Sequence, residues 1–289
     1  MTTMAQHQSV GSAAPDDDDD EWFAGVREQY DGVADAYDLA DRTPVKLVVM
    51  GPSVLGALRS ELRRSTLAGT TGVDLACGTG FLTRLLAADG ARVIGIDISP
   101  QMIERARANR HERIEYRVGD VYQLDAAQLR ASTAEGFDFV VAGFLFNYAT
   151  RPEQIETLTR QALALLRPGG VVVALLPNPD LPIIAEDTPA TLRYGLSAAM
   201  DLPVRDGAPR RVTYWRPDGT RIVTVEHTHW SRDVYTREMT RGGATVEWHH
   251  CQPAVADPAA DEFWRDYVAA PQHDIAVLRP VAAVSSQAA

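Results

Sequence analysis

The stretch Val73-Asp74-Leu75-Ala76-Cys77-Gly78-Thr79-Gly80 decides how this chain is interpreted. The apolar run 72–77 predicts a short buried strand, and the helical spacing of 81–89 predicts a helix directly after it. The two glycines between them permit a tight turn and let a ligand approach the backbone closely. The stretch therefore predicts a strand, a glycine turn and a helix, with a ligand site at the turn.

Strand-like and helix-like segments continue to alternate after this stretch. Strands are predicted at 91–98, 113–120, 136–148 and 171–176, and helices at 99–110 and 151–170. This alternation is typical of a parallel sheet that helices cover on both faces. Right-handed crossovers then give an α/β fold with a doubly wound sheet.

The flanking segments predict further elements. A helix is expected from Glu21, and it places Tyr30 and Tyr37 on one face if it continues through Gly32. The turn signal Pro217-Asp218-Gly219 between two alternating runs predicts a β-hairpin. Other helices are expected at 44–63, 231–241 and near 259–269, and two last strands at 244–250 and 273–281.

Composition and charge limit the classes of function. Lys and Arg total 28 and Asp and Glu total 39, which gives a formal net charge of −11, and no basic cluster suits a nucleic-acid backbone. We expect no membrane span and no secretory signal, because no apolar run is long enough and the N-terminus is polar. Two cysteines cannot form a disulfide framework, so a cytoplasmic protein is expected.

The domain organisation follows from these patterns. Residues 1–20 end in a run of aspartates and are expected to be a disordered acidic tail, and 282–289 a second disordered tail. Residues 21–281 are expected to form one domain, in which about 178–230 make a lid and hairpin insertion on the substrate side.

Acidic residues close the second and third predicted strands. Ligands of open α/β sheets bind at these strand ends. There the carboxylate of Asp97 can accept hydrogen bonds from both hydroxyls of a ribose, and that of Asp120 from an adenine amino group. The alternatives are that Asp97 caps the following helix and that Asp120 is structural. The residue three after Gly80 is Thr83, so the dinucleotide pattern Gly-x-Gly-x-x-Gly is absent, and no phosphate-binding Gly-Lys-Ser/Thr loop occurs.

Five segments in a fixed order resemble the class I S-adenosylmethionine-dependent methyltransferases. They are DLACGTG, IGIDISPQMIERAR, the Gly119-Asp120 pair, FDFVVAGFLFNY and LRPGG. The resemblance implies a seven-stranded Rossmann-like sheet with an N-terminal helical lid. FLFNYATRPEQ and the hairpin are similar to the small-molecule branch of bacterial secondary metabolism and antibiotic biosynthesis, including toxoflavin-type heterocycle N-methyltransferases.

The resemblance also implies roles for individual residues. Those facing the methionine half of the cofactor would be Asp74, Ala76, Gly78, Gly80 and the backbone of Phe144. Asp97 would hold the ribose, and those facing the adenine would be Ile98, Met102, Asp120 and Val121. Tyr30 and Tyr37 would close over the cofactor.

The acceptor side is predicted from position along the chain. Asn147 and Tyr148 follow the fourth strand, near the methyl group, and Tyr148 and His229 are the candidate catalytic residues. The candidate substrate contacts are Asn147, Tyr194, His227 and Trp230; for these residues packing in the core or the hairpin is the alternative. No histidine pair has a metal-ligand spacing, so no metal is expected.

The predicted function is methyl transfer from S-adenosylmethionine, with S-adenosylhomocysteine as product, to a heteroaromatic or natural-product acceptor on nitrogen or oxygen. The expected partner is that small molecule, with no nucleic acid and no membrane, for a monomer or homodimer. The alternatives are a protein or RNA methyltransferase and a non-catalytic S-adenosylmethionine-binding protein.

Overall fold

The computed structural model describes residues 17–109, 111–181, 189–257 and 261–281. Its main sheet has seven strands in the order β3-β2-β1-β4-β5-β10-β9, all parallel except β10, which is antiparallel to both of its neighbours. The strands are β1 (Thr71–Leu75), β2 (Arg92–Asp97), β3 (Ile114–Val118), β4 (Phe137–Gly143), β5 (Leu166–Pro177), β9 (Ala244–His250) and β10 (His273–Pro280). The predicted α/β fold with a seven-stranded Rossmann-like sheet is confirmed.

Ten helices occur in the described residues. They are α1 (Asp17–Asp31), α2 (Ala34–Ala40), α3 (Gly51–Glu61), α4 (Phe81–Ala88), α5 (Pro100–Ala108), α6 (Ala126–Arg130), α7 (Pro152–Ala164), α8 (Pro189–Tyr194), α9 (Arg232–Arg241) and α10 (Arg265–Ala269). A π-helical turn (Val45–Met50) precedes α3, and a 3₁₀ turn (Phe146–Tyr148) follows β4.

The main sheet separates two hydrophobic cores, because side chains of successive strand residues point to opposite faces. On β5, Val171, Val173 and Leu175 pack with α3 and α4, and Val172 and Ala174 pack with α6, α7 and α9. Both faces are therefore covered, as a parallel sheet of nearly continuous apolar strands requires.

A separate three-stranded antiparallel sheet contains the predicted hairpin. Its strands are β6 (Leu196–Met200), β7 (Pro209–Trp215) and β8 (Arg221–Thr228), in that order. The hairpin is confirmed, whereas β6 was not predicted, because Leu-Ser-Ala-Ala-Met lacks the β-branched and aromatic residues that mark strands.

The N-terminal helical segment divides at Gly32 into α1 and α2, since glycine weakens a helix, so the condition for placing Tyr30 and Tyr37 on one helical face is not met. Two predicted boundaries were wrong. α1 begins at Asp17, inside the tail predicted as disordered, where acidic residue types suit the first turn of a helix. The helix predicted at 151–170 ends at Ala164, and Pro168-Gly169-Gly170 lies in β5 at a register irregularity against β4.

The rest of both predicted tails, residues 1–16 and 282–289, lies outside the described residues. No helix in the described ranges is both long and apolar enough to cross a membrane.

Candidate functional site

A large cavity opens at the carboxyl ends of β1, β2 and β4, and we call it the strand-end cavity. Its volume is about 1060 Å³, counting the part open to solvent, which is at the upper end of ligand pockets. Its lining includes Asp41, Lys46, Asp74, Ala76, Gly78, Thr79, Asp97, Ile98, Asp120, Val121 and Phe144. The position agrees with the general rule that open α/β sheets bind ligands at the carboxyl ends of their strands.

Asp97 is held rigidly at the end of β2. The backbone N–H of Gly78 donates to its Oδ2 at 2.7 Å, and the N–H of Ser99 donates to Oδ1 at 2.9 Å. Burial raises the pKa of Asp97 to about 6, and the two backbone N–H groups oppose that rise. Asp97 is thus a fixed carboxylate at neutral pH, with acceptor lone pairs to spare for a ligand.

Asp74 on β1 is 1% exposed and lines the same cavity. The Thr83 hydroxyl donates to its Oδ2 at 2.6 Å, but Oδ1 has no hydrogen-bond partner among the described residues. Burial raises the pKa of Asp74 to about 7. A buried oxygen without a partner is costly, so Oδ1 is an acceptor for a donor group of a ligand.

Unusual backbone conformations shape the cavity wall. Ala76 and Phe144 have positive φ angles of 57° and 56°, which non-glycine residues rarely adopt, and Gly78 has 54°. Such strain is found mainly at functional sites, where the surrounding fold holds it in place.

A second cavity lies between the main sheet and the three-stranded sheet, and we call it the hairpin cavity. Its volume is about 490 Å³. It shares four aromatic side chains with the strand-end cavity, and these are Tyr30, Tyr37, Phe144 and Tyr148. The two cavities therefore adjoin at an aromatic wall, which suits a reaction between two bound molecules.

Edge-to-face contacts organise the aromatic wall. The ring centroid of Tyr30 lies 5.5 Å from that of Tyr37 and 5.7 Å from that of Tyr148, and the Tyr30 and Tyr148 hydroxyls are hydrogen bonded. The Tyr148 ring also meets the His227 ring, with centroids 6.1 Å apart. Burial raises the pKa of Tyr148 well above its usual value, so its hydroxyl stays protonated at neutral pH.

The hairpin cavity contains several buried polar groups without partners. Asn147 Oδ1, His227 Nε2 and Gln272 Oε1 make no hydrogen bond within the described part of the chain. His227 Nδ1 lies 3.1 Å from the Thr228 carbonyl, which can only accept, so Nδ1 carries the proton and Nε2 is an acceptor. Burial and then the nearby Arg210 lower the pKa of His227 to about 3, which keeps the ring neutral.

The sequence did not reveal a buried ion pair that lines the strand-end cavity. Lys46 Nζ lies 2.8 Å from Asp41 Oδ1, and the Thr79 hydroxyl donates to Asp41 Oδ2 at 2.6 Å. Burial alone lowers the pKa of Lys46, but the Asp41 carboxylate together with Tyr37 and Tyr214 outweighs it and raises that pKa. The ammonium also sits 4.2 Å from the centre of the Tyr37 ring, so the pair links the glycine turn to the aromatic wall.

Most of the predicted cofactor residues come together in the strand-end cavity. Gly80 and Met102 do not line it. Gly80 has a φ of 86° and forms the cap of α4, where a Cβ would strike the Tyr116 side chain, so its role is to turn the chain. Met102 is fully buried on the inner face of α5. The roles predicted for the cofactor residues that do line the cavity stay predictions.

Three of the residues predicted on the acceptor side lie outside both cavities. β8 ends at Thr228, so His229 does not continue the alternation that brings His227 inward. Tyr194 stacks on Trp264 with centroids 5.3 Å apart, and its hydroxyl donates to the Phe263 carbonyl at 2.9 Å.

Trp230 is the third of these residues. Its indole Nε1 donates to the Ala149 carbonyl at 2.8 Å, and its ring belongs to the core beside α7 and α9. The reason is the same for Tyr194 and Trp230: a large aromatic side chain with a satisfied polar group packs well in a core. The predicted Asn147, Tyr148 and His227 do line the hairpin cavity.

No group of three or more His, Cys, Asp or Glu side chains is placed to hold a metal ion in the ranges that the structure covers. Cys77 and Cys251 are both buried and unpaired.

Comparison with known proteins gives matches centred on this site. Residues 73–170 match the profile of a family described as "Methyltransferase domain". The chain is 36% identical over 123 residues to the ubiquinone biosynthesis O-methyltransferase of Methylobacterium sp. (strain 4-46), a match that spans 42% of this chain and 46% of that protein. It is 27% identical over 256 residues to the protein of the same name from Methylocella silvestris, covering 84% of this chain and 86% of the relative.

The fold has counterparts among solved structures. An S-adenosylmethionine-dependent methyltransferase from Mesorhizobium loti superposes with a TM-score of 0.52 at 22% identity, over 83% of this chain and 99% of that one. At this identity the likeness concerns the fold alone.

Proposed function

We propose that this chain, whose residues 73–170 match the methyltransferase-domain family, is a class I methyltransferase and transfers a methyl group from S-adenosylmethionine to a small-molecule acceptor. The observation that carries the proposal is that Asp97 and Asp74 line one cavity at adjacent strand ends, Asp97 with spare lone pairs and Asp74 with a partnerless Oδ1. The domain match and the two O-methyltransferase relatives support it.

The lining of the strand-end cavity fits this cofactor. Asp97 would accept the ribose hydroxyls, and Asp120, beside Val121 and Ile98, would accept the adenine amino group. The partnerless Oδ1 of Asp74 would accept from the methionine ammonium, either directly or through water. The lining contains four aspartates, and its one cation among the described residues, Lys46, is paired with Asp41. The remaining acidic side chains suit a ligand that carries positive charge.

When bound, S-adenosylmethionine supplies an activated methyl group, which passes to a nucleophilic atom of the acceptor while the C–S electron pair stays on sulfur. The protein then mainly has to align the acceptor with the methyl group and exclude water. The aromatic wall of Tyr30, Tyr37, Phe144 and Tyr148 lies where the two cavities meet and would provide that alignment. The three-stranded sheet of β6, β7 and β8 would cover the acceptor.

The proton that leaves an N–H or O–H acceptor needs a destination. Tyr148 keeps its own proton at neutral pH, so it would orient the acceptor rather than deprotonate it. His227 offers an unprotonated Nε2 in the hairpin cavity, which would accept a hydrogen bond from the acceptor's N–H or O–H group. Because the pKa of His227 is about 3, the proton would not stay on the ring and would pass to water.

The acceptor would be a flat molecule of modest size. The hairpin cavity is lined by aromatic and aliphatic side chains, among them Tyr214, Val212 and Val225, and its volume suits a single or fused ring system. A heteroaromatic or natural-product intermediate of secondary metabolism, methylated on nitrogen or oxygen as by the toxoflavin-type enzymes, is the specific form of the proposal.

Transfer of labelled methyl groups tests this function. The full chain is incubated with methyl-labelled S-adenosylmethionine and either a small-metabolite extract or a protein and RNA fraction. We expect label in the metabolites, loss of transfer in Asp97→Asn, and normal transfer in Glu104→Gln, an exposed acid on nearby α5. Label confined to protein or RNA would refute the small-molecule acceptor.

A further inference from the structure

We propose that the hairpin cavity binds an acceptor that carries an anionic group, a carboxylate or phosphonate, and that Arg210 holds this group. The inference rests on the proposed function, since it concerns the acceptor half of the same site. It names the chemical class of the acceptor: a small aromatic or heteroaromatic acid that also bears hydrogen-bond donors.

The position of Arg210 is set by strand alternation. On β7, Arg210, Val212 and Tyr214 point to the buried face, and Arg211 between them is exposed. Arg210 lies directly opposite His227 in the register of β7 and β8, so the two side chains are neighbours on the cavity face. The sequence Arg210-Arg211 thus sends one guanidinium into the cavity and one into solvent.

Arg210 has no anionic partner in the described ranges. It is only 8% exposed, and no carboxylate there forms an ion pair or hydrogen bond with it. Arg232, by contrast, pairs with both Asp274 and Asp180, at 2.6 and 2.5 Å. A buried charge is normally paired, and an unpaired one is costly unless a ligand completes it.

The two cavities carry opposite charge. Asp41, Asp74, Asp97 and Asp120 line the strand-end cavity, whereas Arg210 is the one formally charged residue among those described in the hairpin cavity. An anionic acceptor would therefore be drawn to the far side of the aromatic wall from the cationic cofactor. A guanidinium binds a carboxylate through two parallel hydrogen bonds, which would also fix the orientation of the ring.

The remaining polar groups specify the rest of the acceptor. Asn147 Oδ1, His227 Nε2 and Gln272 Oε1 are buried acceptors that nothing described satisfies. They would pair with O–H or N–H groups of the acceptor, because each would otherwise stay desolvated without a hydrogen bond. A hydroxylated or amino-substituted aromatic acid has both features: an anionic group for Arg210 and hydrogen-bond donors for the three acceptor atoms.

A set of matched ligands tests the inference. The full chain, saturated with S-adenosylhomocysteine, is titrated calorimetrically with 4-hydroxybenzoate, its neutral isostere 4-hydroxybenzamide, and 4-hydroxyphenylphosphonate. We expect at least one of the two anions to bind about tenfold more tightly than the amide or better, as a charge-assisted pair allows. The stronger of the two identifies the anionic group as carboxylate or phosphonate.

Variants then assign the preference to one side chain. Arg210→Gln should remove the preference for the anion, and Arg211→Gln, its exposed neighbour, should keep it. Equal binding of anion and amide to the wild type, no binding of either anion, or a preference that survives in Arg210→Gln would overturn the inference. Binding of S-adenosylhomocysteine, measured first in each variant, shows that the variant is folded. If the wild type did not bind S-adenosylhomocysteine, that result would count against the proposed function instead.

Discussion

Replacement of Arg210 by methionine should make the ligand-free protein more stable. Methionine keeps an unbranched stem in the cavity that Val212 and Val225 also line, and it removes the guanidinium charge. Most substitutions of a buried residue destabilise, so a gain would set this position apart. It would show that the charge is maintained for a ligand rather than for the fold.

The size of the gain follows from the burial of the charge. Burial lowers the pKa of Arg210 to about 10, and the Tyr235 hydroxyl compensates only weakly. The proton affinity is thus reduced by roughly two to three powers of ten, each worth ~1.4 kcal/mol, so the charge costs the folded state about 3 kcal/mol. Because the pKa is lowered, the full cost is present at every pH below about 10.

The variant recovers only part of this energy, since it also loses the favourable electrostatic interaction with Tyr235. We expect a gain of about 1 to 3 kcal/mol in the free energy of unfolding at pH 7, or a rise in Tm of roughly 2 to 10 °C for a domain of this size. Urea unfolding without ligand gives the free energy, and a thermal scan gives the Tm.

Arg211→Met is the matched control and should change stability by no more than about 0.5 kcal/mol, as is usual for an exposed site. A loss of stability in Arg210→Met, with Arg211→Met unchanged, would refute the reasoning. That result would mean that the Arg210 guanidinium has a structural partner in the folded chain.

Other positions give further expectations. S-adenosylhomocysteine should bind the wild type about tenfold more tightly at pH 7.5 than at pH 5, because the carboxyl group of Asp97, with a pKa of about 6, must ionise. Asp97→Asn should bind weakly at both pH values. Equal affinity of the wild type at the two pH values, measured by calorimetric titration, would contradict this. Trp230→Phe should lower the unfolding free energy by about 1 kcal/mol, through loss of the hydrogen bond to the Ala149 carbonyl, and leave the KM for the acceptor unchanged. A raised KM at normal stability would show that Trp230 contacts the acceptor. Gly72→Ala should destabilise by about 1 to 3 kcal/mol or more in urea unfolding, because its Cβ would overlap the buried Phe139 ring; wild-type stability would show that the ring can move.

The sequence was most informative where the pattern is local. Short apolar runs that alternate with helix-like segments predict β1 to β5, and an acidic residue at a strand end predicts a side chain such as Asp97 at the ligand-binding edge. Both depend on a few neighbouring residues and on general rules of parallel sheets, so tertiary contacts do not change them.

Contacts between distant segments limited the rest. Alternation says that one of Arg210 and Arg211 is buried, but only the packing of the hairpin on the main sheet determines which. Lys46 and Asp41 look like surface charges in the sequence until the fold brings their pair beneath the aromatic wall. The residues around Tyr194 in the sequence are the same whether its ring stacks on a ligand or, as here, on Trp264 in the core, so the sequence cannot distinguish the two.

The most direct measurement of the central claim is the crystal structure of the full chain with S-adenosylhomocysteine. We expect the ribose hydroxyls within hydrogen-bond distance of Asp97, and the sulfur directed towards the wall of Tyr30, Tyr37, Phe144 and Tyr148, with the hairpin cavity beyond it. A ligand bound elsewhere, or one whose sulfur faces away from the hairpin cavity, would contradict the division of the site into a cofactor half and an acceptor half.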